Sequence, residues 1–301
     1  MGASIITTRG VDFAYGDIVA LQGVSLDVPP GRVGLVGANG AGKTTLLKLL
    51  LGVLRPGAGE AAVLEHPIDR ELMALRARVG FMPETDCLPP DQTAADFMGY
   101  AAELAGLPTR AARQRSSDVL TLVGLHEERF RPMGEFSTGM MQRAKLAQAI
   151  VHDPDLVLLD EPTAGLDPEG RDEMLDLITR LDGFGINVLV SSHVLTDIER
   201  TCDWVVMLDA GRVLRSGPLT ALAKTADRIT LQVLDDPAPV IAALQRRGAE
   251  VTLEGHTILL RHDTADPFDL ARDAVAETGS VLRSLQPSRS SLEDIFLEAG
   301  A

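Results

Sequence analysis

A glycine-rich loop between an apolar run and a helical run constrains this chain more than any other feature. Residues 37–45 match the phosphate-binding pattern G-x-x-x-x-G-K-[ST]. The apolar run Arg32–Val36 before the loop predicts a buried strand, and residues 44–51 after it predict a helix. Glycines let backbone N–H groups and the positive end of the helix face a polyphosphate. The sequence therefore predicts a nucleoside triphosphate site, against the alternative of a glycine-rich turn that binds nothing.

The residue types in this loop also predict individual roles. We expect Lys43 to reach the β- and γ-phosphates and the Thr44 hydroxyl to ligate Mg²⁺. The loop residues expected to contact the nucleotide are Gly37, Asn39, Gly40, Ala41, Gly42, Lys43, Thr44 and Thr45.

A pair of carboxylates forms the second part of the predicted site. Asp160 and Glu161 directly follow the apolar run 156–159, which predicts a buried strand. Ligands bind at the carboxyl ends of strands in a doubly wound sheet. We expect Asp160 to hold Mg²⁺ and Glu161 to orient and deprotonate the attacking water. The alternative is a strand that ends in a solvated acidic turn.

Charge and composition narrow the class of protein. The net charge of −15 and the pI near 4.8 argue against broad electrostatic binding to nucleic acid or anionic lipid. No apolar run approaches the roughly 18 residues of a membrane span, and the first residues lack the features of a signal peptide. Cys87 and Cys202 lie far apart without metal-site spacing, which predicts free thiols in a reducing compartment. We therefore expect a cytoplasmic protein.

The remaining patterns predict the order of elements. Short β-like runs occur at residues 5–8, 11–13 and 23–28, and residues 91–123 are helical in pattern with breaks near Gly106 and Pro108. From residue 228 the order is β-α-β-β-α-β, which is the ferredoxin-like arrangement. Its predicted elements are strand 228–234, helix 239–246, two strands around 254–256, helix 267–276 and strand 280–285, followed by a last helix over 291–298.

Residues 136–143, Phe-Ser-Thr-Gly-Met-Met-Gln-Arg, resemble the Leu-Ser-Gly-Gly-Gln signature of ATP-binding cassette (ABC) ATPases. Ser137 and Gly139 match the second and fourth positions, whereas Thr138 and Met140 depart from the family pattern. Such a helix N-terminus presents a hydroxyl and backbone N–H groups to an anion. An ordinary helix cap is the alternative for the octapeptide alone, but its position ahead of Asp160 is that of the family.

The resemblance covers nearly all of the first 217 residues and implies further site residues. Tyr15 matches the aromatic residue that stacks on adenine, although an ordinary strand aromatic remains an alternative. Glu84 stands where the family commonly has a hinge glutamine that contacts Mg²⁺ or water. His193 matches the switch histidine at the γ-phosphate, so the implied catalytic residues are Glu161, His193 and Glu84. Residues 164–167 match a loop that meets the partner subunit.

The resemblance also implies a fold and its division. The expected class is α/β: a P-loop ABC ATPase domain over residues 1–218, followed by a small ferredoxin-like α+β domain over 219–301. The first domain is expected to have a mixed sheet core, an antiparallel β edge and a helical subdomain at about 86–145.

The implied function is ATP hydrolysis that drives transport, with ATP and Mg²⁺ bound. Two copies of the chain are expected to sandwich ATP head to tail, and separate membrane permease subunits are expected to hold them at the cytoplasmic face of the membrane. Residues 81–84, 137–143 and 291–298 look like the export branch that pairs with six-span permeases of the antibiotic-resistance type. The substrate is not readable, because the permease selects it.

Two alternatives belong to other classes. A soluble ABC-type ATPase could act on ribosomes or DNA, but the net charge of −15 suits nucleic acid poorly, and we expect no nucleic-acid partner. A regulatory module could bind ATP without hydrolysing it, but Glu161 and His193 weigh against that alternative.

Overall fold

The chain divides into two compact units, Met1–Leu219 and Thr220–Ala301. The computed structural model describes residues 4–222, 225–261 and 266–289. The first unit contains the strands β1 (Ile6–Tyr15), β2 (Ile18–Val28), β3 (Arg32–Val36), β4 (Ala58–Val63), β5 (His66–Pro67), β6 (Val79–Met82), β7 (Leu156–Asp160), β8 (Asn187–Ser192), β9 (Trp204–Asp209) and β10 (Arg212–Pro218). Its helices are α1 (Lys43–Leu50), α2 (Leu72–Arg78), α3 (Ala94–Leu104), α4 (Thr109–Leu122), α5 (Thr138–Ile150), α6 (Pro168–Leu181) and α7 (Leu195–Thr201).

A six-stranded mixed sheet forms the centre of the first unit. Its strand order is β10-β9-β3-β8-β7-β6, and every pair is parallel except β9 with β10. All residues of β7 are buried, as expected for a strand covered on both faces. Because the carboxyl ends of parallel strands share one edge of a sheet, the segments that follow β3, β6, β7 and β8 emerge together. This edge carries the glycine-rich loop and the acidic pair.

A second, antiparallel sheet has the order β2-β1-β4-β5 and confirms the predicted antiparallel edge. The prediction of short separate runs was wrong here, because β1 and β2 are continuous strands of 10 and 11 residues. Their pairing passes through register shifts, including one between Thr8 and Val11. A bulge of this kind lets the ladder continue although the alternation of side chains is interrupted. The interruption made one strand look like several in the sequence.

The helical region between β6 and α5 agrees with its sequence pattern. Thr93 caps α3 by accepting a hydrogen bond from the Asp96 backbone N–H. The chain then breaks at Gly106, and α4 begins after Pro108. The Ser116 hydroxyl donates to the Ala95 carbonyl at 3.1 Å and ties the two helices together.

The second unit is an antiparallel sheet with two helices. Its elements are β11 (Thr225–Val233), α9 (Ala238–Arg246), β12 (Glu250–Glu254), β13 (Thr257–Arg261), α10 (Pro267–Thr278) and β14 (Leu282–Arg289), preceded by the short helix α8 (Leu219–Leu222). The strand order β12-β13-β11-β14 is that of a ferredoxin-like fold, which confirms the predicted class. β11 and β14 extend beyond the predicted runs because they pair with each other as far as Thr225 and Arg289. The predicted helix 291–298 lies outside the described residues.

Apolar side chains from both helices and from the sheet form a separate core in the second unit. Within the described ranges of the whole chain, no helix combines the length and the apolar content needed to cross a membrane.

Candidate active site

The glycine-rich loop joins β3 to α1 and has a backbone that only glycine tolerates at two positions. A Cβ atom at Gly37 would lie 2.2 Å from the Leu208 carbonyl oxygen. Gly42 has a φ of +103° and caps α1, and a Cβ there would lie 2.6 Å from the Ala20 carbonyl oxygen. The loop therefore packs closely against β9 and β2. It directly precedes the N-terminus of α1, where backbone N–H groups attract anions.

Lys43 places a buried positive charge beside this loop. Its Nζ donates to the carbonyl oxygens of Gly37 at 2.7 Å and Ala38 at 3.3 Å. Nζ also lies 3.2 Å from Oε1 of Glu161, and the two side chains are only 7% and 8% exposed. An ammonium in this position can exchange its carboxylate partner for a phosphate oxygen.

The Glu161 carboxylate contacts two other side chains of the site, those of Lys43 and His193. Its Oε2 is 2.9 Å from Nδ1 of His193, so the carboxylate bridges Lys43 and His193. The backbone at Glu161 has a φ of +49°, a conformation that side chains rarely adopt and that often marks functional sites. The Glu161 N–H donates to both the carbonyl oxygen and Oγ of Ser191, which holds this backbone in place.

Ser191 is a site residue that the sequence patterns did not single out. Its Oγ donates to Oδ1 of Asp160 at 2.6 Å, and Ser191 pairs with Asp160 in the parallel register of β7 and β8. Both residues are buried. A hydroxyl at the end of the strand before His193 was the available signal, but its meaning depended on knowing that β8 neighbours β7.

Most of the predicted residues line one cavity of about 420 Å³. Its lining residues are Tyr15, Ile18, Val19, Ala20, Ala38, Asn39, Gly40, Gly42, Lys43, Thr44, Thr45, Glu84, Glu161, Ala164 and His193. The cavity thus joins the loop and Glu161 with three residues implied by the family resemblance, namely Tyr15, Glu84 and His193.

One side of this cavity is apolar, and Tyr15 is the part of it that the sequence predicted. Tyr15 is 47% exposed and makes an edge-to-face contact with Phe13 at a centroid distance of 4.9 Å. Ile18 and Val19, at the start of the adjoining strand, are 72% and 61% exposed. Exposed apolar side chains beside a polar loop offer a surface for a flat aromatic ring. The signal in the sequence was the apolar pair directly after the turn that follows Tyr15.

Five predicted residues do not line the cavity. Gly37 receives the Lys43 hydrogen bond, and Ala41 closes the loop through bonds with Ala38 and Gly211. Asp160 directly precedes Glu161 in the chain, is 1% exposed and accepts a hydrogen bond from Ser191. The other two are at the start of α5, namely Ser137 and Gly139.

Ser137 forms a helix cap in the single chain. It is exposed, and its Oγ accepts from the Met140 N–H at 3.3 Å. Gly139 beside it is half-buried. Neither residue lines the cavity around Lys43 in the single chain.

The oxygen atoms at the site fit Mg²⁺. Thr44 and Glu84 line the cavity, Asp160 directly precedes the lining residue Glu161, and the buried Oε1 of Glu161 forms an ion pair with Lys43 at 3.2 Å. Mg²⁺ prefers such oxygen ligands and is commonly held by one or two carboxylates together with phosphate oxygens and water. Within the described residues, no group of three His, Cys, Asp or Glu side chains could hold a metal alone. Phosphate oxygens of a bound nucleotide and water molecules would supply the remaining ligands.

Comparison with known proteins gives related sequences over the whole chain. The family model described as ABC transporter matches residues 21–164. The chain is 34% identical to the Nod factor export ATP-binding protein I of Burkholderia orbicola, over 99% of this chain and 97% of that protein. It is 33% identical to a daunorubicin resistance ATP-binding protein of Streptomyces coeruleorubidus, over 99% of this chain and 96% of that protein.

A solved structure is similar to the larger part of the chain. It is cbiO1 from Clostridium perfringens, described as part of the ABC transporter complex cbiONQ. The TM-score is 0.65 and the sequence identity 28%, over 72% of this chain and 89% of the other.

Proposed function

This chain belongs to the ATP-binding subunits of exporter-type ABC transporters, and from that premise we propose that it hydrolyses ATP in the cavity around Lys43 and Glu161. The observation that carries this proposal is the position of the Glu161 carboxylate, 3.2 Å from the Lys43 ammonium and 2.9 Å from His193. A buried carboxylate of this kind at a phosphate-binding loop is suited to act as a general base.

The loop and the apolar side of the cavity would bind the nucleotide. Backbone N–H groups of the loop and the Lys43 ammonium would hold the phosphates, since the helix N-terminus and the ammonium both favour negative charge. The exposed side chains of Tyr15, Ile18 and Val19 would pack against the adenine ring. Lys43 would then leave Glu161 for a phosphate oxygen, which frees the carboxylate.

Glu161 would deprotonate the attacking water. The water oxygen forms a bond to the γ-phosphorus, the bond from that phosphorus to the β–γ bridging oxygen breaks, and ADP leaves with the electron pair. The water proton goes to the Glu161 carboxylate, which His193 orients from 2.9 Å. His193 also lines the cavity and would contact the γ-phosphate there. Thr44, Asp160 and Glu84 would hold Mg²⁺, which neutralises charge on the phosphates when bound.

A second copy of the chain would complete each site. Ser137 and Gly139 do not line the cavity of their own chain, yet they form a helix N-terminus suited to an anion. Two copies arranged head to tail would place this helix of one over the cavity of the other, and two-fold symmetry would give two equal sites.

Membrane subunits would convert this cycle into export. The relative cbiO1 is described as part of a transporter complex, and we propose that this chain likewise binds separate permease subunits at the cytoplasmic face of the membrane. The helical region is the candidate contact, because Tyr100 and Leu104 on α3 are 57% and 70% exposed. Copurification of the chain with a six-span membrane protein tests this part.

Mixing two defective variants tests the composite site. Ser137→Arg should bind ATP but not hydrolyse it, and Lys43→Ala should lose both functions. A mixture should recover activity, because one intact loop can meet one intact signature helix. Thr93→Arg is the matched control, since it removes a helix cap elsewhere and should leave activity unchanged. No recovery in the mixture, or lost ATP binding by Ser137→Arg alone, would contradict the proposed dimer.

A further inference from the structure

Lys145 is a lysine whose side chain is fully buried inside the first unit. It lies in the middle of α5 and is only 1% exposed. Long charged side chains usually keep their charged end in water, so a buried lysine needs polar partners. For Lys145 such a partner is the Glu84 backbone carbonyl, whose oxygen accepts a hydrogen bond from Nζ of Lys145 at 2.8 Å.

The segment that carries Glu84 depends on such an anchor. β6 ends at Met82, and the described residues 83–90 contain no helix or strand. Glu84 nevertheless has to present its side chain to the cavity that it lines. The hydrogen bond from the buried Lys145 ammonium fixes the backbone at Glu84, the residue whose side chain has to reach the cavity.

Acidic groups surround this ammonium without pairing with it. Burial lowers the pKa of Lys145, and the carboxylates of Asp86, Glu84 and Asp160 oppose that shift. Among the described residues, no carboxylate oxygen is found within ion-pair distance of its Nζ. The positive charge thus acts on several carboxylates at once and not as half of one salt bridge.

We propose that Lys145 is a positioning residue that anchors the Glu84 backbone and balances the extra negative charge that Glu84 brings to the site. This proposal rests on the proposed function. Glu84 lines the same cavity as Glu161, so it adds a second negative charge there. A nearby cation lowers the electrostatic cost of that charge, whereas an uncharged side chain at residue 84 would need no such cation. Lys145 also ties Glu84 to α5, whose first turn begins at Ser137.

Replacement of the charge at constant length tests the proposal. Lys145→Met keeps the buried chain but removes the ammonium, and it should lower kcat by about 10- to 100-fold, as loss of a group that supports a metal ligand does. KM for ATP should rise by no more than the gain in ATP affinity that Mg²⁺ gives the parental chain, because the loop around Lys43 is untouched. Lys145→Arg should recover most of the activity. Lys48→Met is the control, since Lys48 lies on α1 and does not line the cavity.

A double variant separates charge balance from simple packing. In Lys145→Met with Glu84→Gln, the carboxylate that needs a counter-charge is gone, so the loss should be smaller than the product of the two single losses. Multiplicative losses, or Lys145→Met with parental kcat and only a lowered melting temperature, would overturn the proposal. If Lys145→Met does not fold, Lys145→Gln takes its place in the same measurements, with the same expected and contradicting results.

A binding measurement keeps this test separate from the proposed function. ATP is titrated with excess Mg²⁺ and again with EDTA, and Lys145→Met should lose the gain in affinity that Mg²⁺ gives while binding in EDTA stays unchanged. An unchanged Mg²⁺ gain would contradict the role of Lys145. The proposed function fails instead if the parental chain does not hydrolyse ATP, or if Lys43→Ala hydrolyses ATP as fast as the parental chain.

Discussion

Replacement of Glu161 by glutamine should strengthen ATP binding and strongly reduce turnover. The substitution keeps the size of the side chain but removes the carboxylate that lies 3.2 Å from Lys43. Two effects then favour the nucleotide. The ammonium no longer has to exchange a carboxylate for a phosphate oxygen, and the γ-phosphate no longer approaches a negative group.

The distance and the burial set the size of this effect. At an effective dielectric constant of about 20, two unit charges 3.2 Å apart attract by about 5 kcal/mol. Desolvation of two side chains that are 7% and 8% exposed offsets much of this attraction. A hydrogen bond to a charged group contributes about 1.5–3 kcal/mol net, and about 1.4 kcal/mol corresponds to a tenfold change in affinity. We therefore expect ATP to bind at least about tenfold more tightly to Glu161→Gln.

Turnover should fall by about 10²- to 10⁴-fold, the usual contribution of a general base. The assay is equilibrium titration with a fluorescent ATP analogue and phosphate release in the same buffer. Glu169→Gln is the control, because it makes the same change of charge at an exposed position. Unchanged or weaker binding would show that the Lys43 pair does not compete with the nucleotide. Turnover at the parental rate would show that Glu161 is not the base.

Three further predictions follow from the described geometry. Gly42→Ala should lower the melting temperature by several degrees, at about 2–4 °C per kcal/mol of lost stability, and should weaken ATP binding in a titration. The reason is that residue 42 has a φ of +103°, and an added Cβ atom would lie 2.6 Å from a carbonyl oxygen. Burial lowers the pKa of His152 below 6.5, so the unfolded chain binds the proton more readily than the folded chain does. The stability of the folded chain should therefore fall as the pH drops through 6.5, and His152→Gln should reduce this pH dependence of the melting temperature. A chain that ends at Gly217 should bind ATP with parental affinity, because all residues lining the cavity precede it; a large loss with unchanged circular dichroism would place the tail at the site.

The parts of the fold that depend on nearby residues were readable from the sequence. The loop at 37–45, the buried strand before it and the acidic pair after 156–159 are local patterns with direct physical causes. The β-α-β-β-α-β order of the second unit was readable for the same reason. The interrupted alternation in β1 was misleading, because a bulge breaks the period without ending the strand.

The site itself was decided by contacts between distant segments. Ser191 meets Asp160 and Glu161 meets Lys43 only because β8 lies between β3 and β7. Likewise, the sequence pattern around Lys145 does not show that its side chain is buried, because the packing of α5 directs its ammonium to the Glu84 carbonyl. Local sequence sets which element forms, since helix and strand preferences act over a few residues. Strand order and helix packing set which side chains meet, because burying the apolar faces brings together residues far apart in the chain.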